Sequence, residues 1–280
     1  MKRIIAIDMD GTLLNSRQKI SRENVSAIKK RLGKDFIYIC SGRDREDIHS
    51  ILSQAGLSLP VASVNGALCT KEDGDEIFGF HFERAIFDQI MSEVKRYPYK
   101  VYTSRGNFSS FSFSTRVKEM FRQYGDKDNK KRIESMEYLI NYERSVQSGY
   151  PDEMYDLLNN EILTIQKLLI YFPQCPEKAL LEKKLNNIPG VSVTASGYDN
   201  FEILPDKIDK GKTFDVMISS FGLDKPEKIA IGDSENDLSL FKDADVSVAV
   251  NNAMEKIKNL ADIIVPSNDE DGVAQFLNRL

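Results

Sequence analysis

The apolar run Ile4-Ile5-Ala6-Ile7 ends abruptly at Asp8-Met9-Asp10-Gly11-Thr12. A run of this length reads as a buried strand. In open parallel α/β sheets, the carboxyl ends of strands are where ligands bind. Two carboxylates at such a place are costly unless they hold a metal or do chemistry. Residues i and i+2 of a strand point the same way, so Asp8 and Asp10 can share one site. Gly11 lets the chain turn tightly beside a ligand. Asp-Gly is also an ordinary turn dipeptide; what favours the chemical reading is that the pattern returns further along.

Ser21 is placed to cap a helix with Val25, Ile28 and Leu32 on one face. Phe36–Cys40 reads as a second buried strand. Asp44 caps a helix carrying Ile48, Ile51 and Leu52, and Pro60–Val64 is a short third strand closed by the turn Asn65-Gly66. This β-α-β-α-β order predicts a mostly parallel sheet with helices on its faces. From about Phe82 to Leu204 the texture changes. Helical stretches Phe87–Tyr97 and Pro176–Leu185 alternate with strand-like Lys100–Thr103, Asn107–Ser112, Lys167–Phe172 and Val191–Ala195, while Asp126–Lys131 reads as a solvated, charge-rich loop. Ile229–Ile231, Val246–Val250 and Ile263–Val265 then restore the first pattern, with helices near Leu238–Lys242, Glu255–Leu260 and Val273–Leu280. The expectation is an α/β core domain, residues 1–82 and 205–280, interrupted by an α+β domain, residues 83–204.

The chain of 280 residues is 41% hydrophobic and 29% charged, with a formal net charge of −5. This balance suits a globular protein and gives no support to nucleic acid as a partner. No apolar stretch approaches the ~20 residues of a membrane span, and the N-terminus does not read as a signal peptide. Cys40, Cys69 and Cys175 are scattered and odd in number, which points to reduced thiols and a cytoplasmic location. Only His49 and His81 are present, so histidine-based metal sites and triads are poorly supplied.

Other strand ends carry polar residues too. Ser41-Gly42-Arg43 offers a hydroxyl and backbone N–H groups for an oxyanion, or alternatively a helix cap. Lys210-Gly211 stands at a helix start, where a lysine neutralises a phosphate or is simply solvated. Ile229-Ala230-Ile231-Gly232 leads into Asp233-Ser234-Glu235-Asn236-Asp237. Asp233 or Ser234 there caps a helix, or Asp233 completes an oxygen ligand set with Asp8 and a second group of the first loop. Hard oxygens with room for waters suit Mg²⁺.

Taken in order, Asp8–Thr12, Ser41–Arg43, Lys210-Gly211 and Gly232–Asp237 resemble the four motifs of the haloacid dehalogenase superfamily. The insertion between the second and third motifs resembles the type IIB cap of its Cof-type sugar-phosphatase branch. Asn65–Ala67 and Asn268–Val273 are also similar to that branch. The resemblance covers the whole chain and is specific in the core; Ser41 stands where many relatives carry Thr, with the hydroxyl kept. It implies a Rossmann-like parallel-sheet core with an inserted α+β cap, and a phosphoric monoester hydrolase that uses an aspartyl-phosphate. By this resemblance Asp8 is the nucleophile and Asp10 the general acid and base. Mg²⁺ is held by Asp8, Asp233 and the Asp10 backbone carbonyl. Phosphate is gripped by Met9, Ser41, Gly42, Lys210 and Asn236, and Asp237 orients Lys210 or a metal-bound water. Arg43 and Asn65 stand at the substrate rim, and the cap, closing over the core, carries specificity. Tyr97, Tyr99, Tyr102 and the segment Ser196–Asn200 are candidates for it, with packing the competing role of each tyrosine.

The implied substrate is a small phosphorylated metabolite, a sugar phosphate ahead of pyridoxal phosphate, flavin-pathway intermediates or nucleotides. Two alternatives stay open. A phosphotransferase or phosphomutase would pass the phosphoryl group to an alcohol and need a diphosphorylated activator. A silent sugar-phosphate sensor is expected to lack Asp8 or Asp10, and both are present.

Overall fold

A computed structural model of the protein describes residues 2–145, 149–194, 199–206 and 208–280. Its chain divides into two compact units, Met1–Gly79 with Ile208–Leu280, and Phe80–Lys207. The first unit opens with strands β1 (Arg3–Ile7), β2 (Phe36–Cys40), β3 (Val61–Ser63), β4 (Leu68–Thr70) and β5 (Glu76–Gly79). The second holds β6 (Tyr99–Thr103), β7 (Gly106–Ser109), β8 (Ile165–Tyr171), β9 (Val191–Thr194) and β10 (Asn200–Pro205). The first unit is completed by β11 (Glu227–Gly232), β12 (Val246–Val250) and β13 (Ile263–Val265).

The eight strands of the first unit form one sheet in the order β13-β12-β11-β1-β2-β3-β4-β5. The first six are parallel, and β4 and β5 add an antiparallel edge. From β1 the chain steps to β2 and β3 on one side, then returns across the insertion to β11 on the other. That reversal leaves a crevice at the carboxyl ends of β1 and β11. Register makes those ends level: Ile7 is opposite both Ile231 and Ile39. Residues that follow the three strands therefore emerge side by side. β1 and β2 are buried almost throughout, as expected of parallel strands covered on both faces. The helices Arg22–Arg31 and Arg45–Gln54 start where expected, with Ser21 accepting from the Asn24 N–H and Asp44 from the Asp47 N–H.

The second unit is a separate five-stranded antiparallel sheet, β7-β6-β8-β10-β9. Its core gathers Phe87, Ile90 and Leu185 from helices and Val101, Leu168, Ile170 and Phe201 from strands. The expected fold class, a parallel-sheet α/β core with an inserted α+β domain, is the one observed. Tyr99 lies in this core, Tyr97 packs on the Phe172 ring at 4.7 Å, and the Lys100 and Lys167 ammonium groups lie 5.6 and 5.0 Å from the centre of the Tyr102 ring. Of the segment Ser196–Asn200, residues 196–198 lie outside the described residues.

The structure departs from the sequence reading in several places. Leu32 is exposed rather than on the helix's apolar face, because the helix ends at Arg31 and Gly33 turns the chain at φ 84°. The strands β4, β5 and β10 and the helices Phe113–Tyr124, Lys130–Ser145 and Pro151–Asn159 had no sequence expectation. The charge-rich stretch is solvated, yet Lys130 and Lys131 open a helix rather than close a loop. Among the described residues no helix is long and apolar enough to cross a membrane.

Ile5 is fully buried in the centre of the larger sheet. Ile5→Ala is expected to cost about 2–5 kcal/mol, through lost transfer energy and an uncollapsed cavity. Chemical denaturation of both proteins checks this.

Candidate active site

The ladder between β1 and β11 runs one residue past the strand: the Asp8 N–H donates to the Ile231 carbonyl at 2.9 Å. Asp8 is thereby pinned, buried, at the crevice. Met9 turns its side chain into the core. Gly11 follows in the left-handed region at φ 74°, and a Cβ there would lie 2.6 Å from Asp233 Oδ2. Only glycine allows the first loop to approach Asp233 this closely. Thr12, buried, donates its hydroxyl to Asp233 Oδ1 at 3.1 Å.

Lys210 is fully buried, with its Nζ 2.5 Å from Asp8 Oδ1 and 2.6 Å from Asp237 Oδ1. The other oxygen of Asp237 accepts from the N–H groups of Asp233 at 3.0 Å and Ser234 at 3.1 Å. Asp237 thus closes the turn after β11 and anchors the lysine with a single side chain. Gly232 makes room for it, since a Cβ there would come within 2.6 Å of the Asp237 carboxyl carbon. From below, the Lys210 carbonyl accepts from the Thr213 hydroxyl, which also meets Tyr38 Oη at 2.8 Å.

One ammonium is shared here among several acids. Oxygens of Asp8, Asp233 and Asp237 all lie within 4.8 Å of one another. Burial, then Asp237, pushes the Asp8 carboxyl well up, against the pull of Lys210. The same two causes raise Asp233 to about 6. Burial acts to discharge Lys210, but Asp237 and Asp8 outweigh it and hold the ammonium charged. The cluster is short of positive charge. Asp237 is spent on Lys210 and on the turn, so Asp8 and Asp233 are the carboxylates left to hold a cation. Hard oxygens with open positions fit Mg²⁺.

Ser41 is buried; its carbonyl accepts from the Asn65 N–H at 2.9 Å and its hydroxyl from the Arg43 N–H at 3.2 Å. The following helix is capped by Asp44, not Ser41. Gly42 lies against Asn65, where a Cβ would be 3.0 Å from Asn65 Oδ1. That same oxygen accepts from the Asn236 amide at 3.4 Å, so Asn65 bridges the loops after β2 and β11. Asp10 is apart from these groups. Arg43 takes it with two bonds, Nε to Oδ2 at 2.7 Å and Nη2 to Oδ1 at 2.6 Å.

Two asparagines that sequence reasoning left without a role hold the first loop. Asn252 donates to the Gly11 carbonyl at 2.7 Å and accepts from the Asn268 N–H at 3.0 Å, while Asn268 donates to the Leu14 carbonyl at 2.8 Å. A usable signal was present: both follow apolar strands, as Asp8 does.

The sequence pattern of a family described as haloacid dehalogenase-like hydrolase matches residues 5–277. The chain is 28% identical to 5-amino-6-(5-phospho-D-ribitylamino)uracil phosphatase YwtE of Bacillus subtilis, over 99% of this chain and 98% of the relative. Among solved structures, a haloacid dehalogenase-like hydrolase from B. subtilis is 27% identical with a TM-score of 0.80, covering 100% of both chains. The fold is also that of a subclass IIB sugar phosphatase, which is 19% identical with a TM-score of 0.73 over 99% of this chain and 98% of that one.

Because its folded-state carboxyl is held up at about 6, Asp233 subtracts stability from the metal-free protein as pH rises through that range and the group ionises. A divalent cation would take the proton's place. Adding MgCl₂ should therefore raise the Tm near neutral pH and lose most of that effect near pH 5. Thermal unfolding at both pH values, with and without the salt, measures it.

Proposed function

We propose, from the premise that this chain belongs to the haloacid dehalogenase-like hydrolases, that it is a Mg²⁺-dependent phosphatase of small phosphorylated metabolites acting through an aspartyl-phosphate. It is a phosphoric monoester hydrolase. The observation that carries the finer reading is the Asp8–Lys210–Asp237 chain at the carboxyl end of β1, with an acid two residues on that stands outside it.

Asp8 attacks phosphorus through a carboxylate oxygen, and the P–O bond to the alcohol breaks. Lys210, 2.5 Å from Asp8 Oδ1, favours its ionised form and brings positive charge to the phosphoryl oxygens. Asp10 gives its proton to the departing alkoxide and then takes one from the water that hydrolyses the acyl-phosphate. Ser41, with the N–H groups of Met9 and Gly42, grips the equatorial oxygens, and Asn236 assists from the loop after β11. Asp237 keeps Lys210 in place and is not consumed. Mg²⁺, held by Asp8, Asp233 and the Asp10 carbonyl, would supply positive charge to the phosphate when bound.

A sugar phosphate or phosphorylated polyol is the substrate class we assign, supported by the phosphoribityl compound in the relative's name. The free thiols of Cys40, Cys69 and Cys175 support a cytoplasmic setting.

Phosphate release from a panel of sugar phosphates tests the reading. Wild type is expected to release phosphate only with Mg²⁺. Asp8→Asn should lose at least about a thousand-fold in turnover while keeping its circular dichroism. Undiminished activity in that variant, or activity in excess chelator, would remove the mechanism.

A further inference from the structure

Arg43, a rim residue for substrate in the sequence reading, is engaged within the protein in the structure. Its guanidinium makes four hydrogen bonds within the protein. Two go to Asp10, one from Nη1 to Asp47 Oδ2 at 2.6 Å, and one from Nη2 to Gln18 Oε1 at 2.5 Å. Of the five guanidinium N–H groups, one is left for anything else. Its side chain is only 15% exposed, whereas that of Asp10 is 49% exposed.

Each partner comes from a different support. Asp47 lies one turn into the helix Arg45–Gln54, at i+4 from Arg43, and its N–H is held by Asp44. Gln18 stands at φ 58° in the loop that β-bridge Leu14–Ile20 closes. The Arg43 backbone is fixed from both sides, its N–H on the Ser41 hydroxyl and its carbonyl accepting from the Val64 N–H at 2.9 Å. Asp10, by contrast, accepts with its carboxylate from Arg43 and not from Lys210, which donates to Asp8 and Asp237. It sits beside Gly11, where the backbone turns. An exposed aspartate on such a loop samples several rotamers unless something takes both its oxygens, and a planar two-point fork does that.

We propose that Arg43 is a positioning residue for Asp10: braced by Asp47 and Gln18, it fixes where the Asp10 carboxyl stands relative to the ester oxygen. The inference rests on the reading of Asp10 as the acid and base of the reaction. In the first half-reaction the P–O bond breaks and the Asp10 proton passes to the departing oxygen. In the second, water gives a proton back to Asp10 as its oxygen bonds to phosphorus and the Asp8 carboxylate leaves. The first transfer matters when the leaving group is an alkoxide and hardly at all when it is nitrophenolate. A residue acting through Asp10 must therefore show the same dependence on leaving group.

The experiment compares glucose 6-phosphate and glycerol 3-phosphate with p-nitrophenyl phosphate, the last followed as the initial burst of nitrophenolate. Wild type, Asp10→Asn, Arg43→Gln, Arg43→Lys and Asp47→Asn are each checked by circular dichroism. Arg43→Gln is expected to lower kcat on the alkyl esters by about 10- to 100-fold, within the range general acid catalysis supplies. The nitrophenolate burst should change less than about threefold, and KM little. Arg43→Lys keeps the charge but not the fork and should stay impaired. Asp47→Asn should show the same selectivity at smaller amplitude. Equal losses on both ester classes, a rise in KM with kcat unchanged, or full activity in Arg43→Lys would each overturn the proposal. If Asp10→Asn itself fails to discriminate between leaving groups, the acid–base reading falls. That outcome is seen without any Arg43 variant and takes the inference with it.

Discussion

The buried ammonium of Lys210 is the interaction on which the rest of this site depends. It is fully enclosed and touches carboxylates from two distant parts of the chain, Asp8 at the end of β1 and Asp237 after β11. A charge taken out of water is tolerable only when paired and hydrogen-bonded. Here the pairing also decides where each acid stands. Asp237 answers on both oxygens, to the lysine and to two backbone N–H groups, so its carboxylate is immobilised and the lysine with it. Asp8 is then held by a cation that cannot itself move away.

Even spacing in the sheet makes this possible. Parallel neighbours in register deliver the ends of β11, β1 and β2 at one level, and small residues let the loops beyond them converge. Asp233 reaches the first loop only because Gly11 has no side chain, and Asp237 tucks in only because Gly232 has none. Burial, and then the charge of Asp237, leave the carboxyls of Asp8 and Asp233 hard to ionise. The fold thus gathers three acids around one ammonium at an electrostatic cost that the rest of the sheet has to carry.

Much of this was legible in the sequence, for a physical reason. Buried parallel strands are unbroken apolar runs, so an acid directly after one, such as Asp8 or Asp233, stands out against its surroundings. Lys210 was legible by its place at a helix start, but its burial was not, since a single lysine gives no sign of being enclosed. The pairing of Asp10 with Arg43 was hidden because it joins two loops through side-chain rotamers, which no periodicity records. Asn252 and Asn268 carried the strand-end signal in weaker form, since an uncharged amide is far less costly to desolvate than a carboxylate. In the second unit, helices such as Lys130–Ser145 were lost to high polarity, and β10 to an interrupted apolar pattern in which Glu202 is buried against Lys167.

The position of β1 between β2 and β11 has a consequence for how the protein is made. β1, β2 and β3 leave the ribosome long before β11, whose residues lie more than 200 positions from β1, as the 224-residue separation of the paired Arg3 and Glu227 illustrates. Throughout that interval one edge of β1 has its N–H and C=O groups without their native partner, on a strand that is apolar from Ile4 to Ile7. Such an edge is a template for association with other chains. Closing the gap is an entropic cost that grows only slowly with loop length, and a second unit with its own core shortens the free chain to be closed once it has folded. Topology thus makes a central strand, among the first to be synthesised, wait for a neighbour made only after the whole insertion.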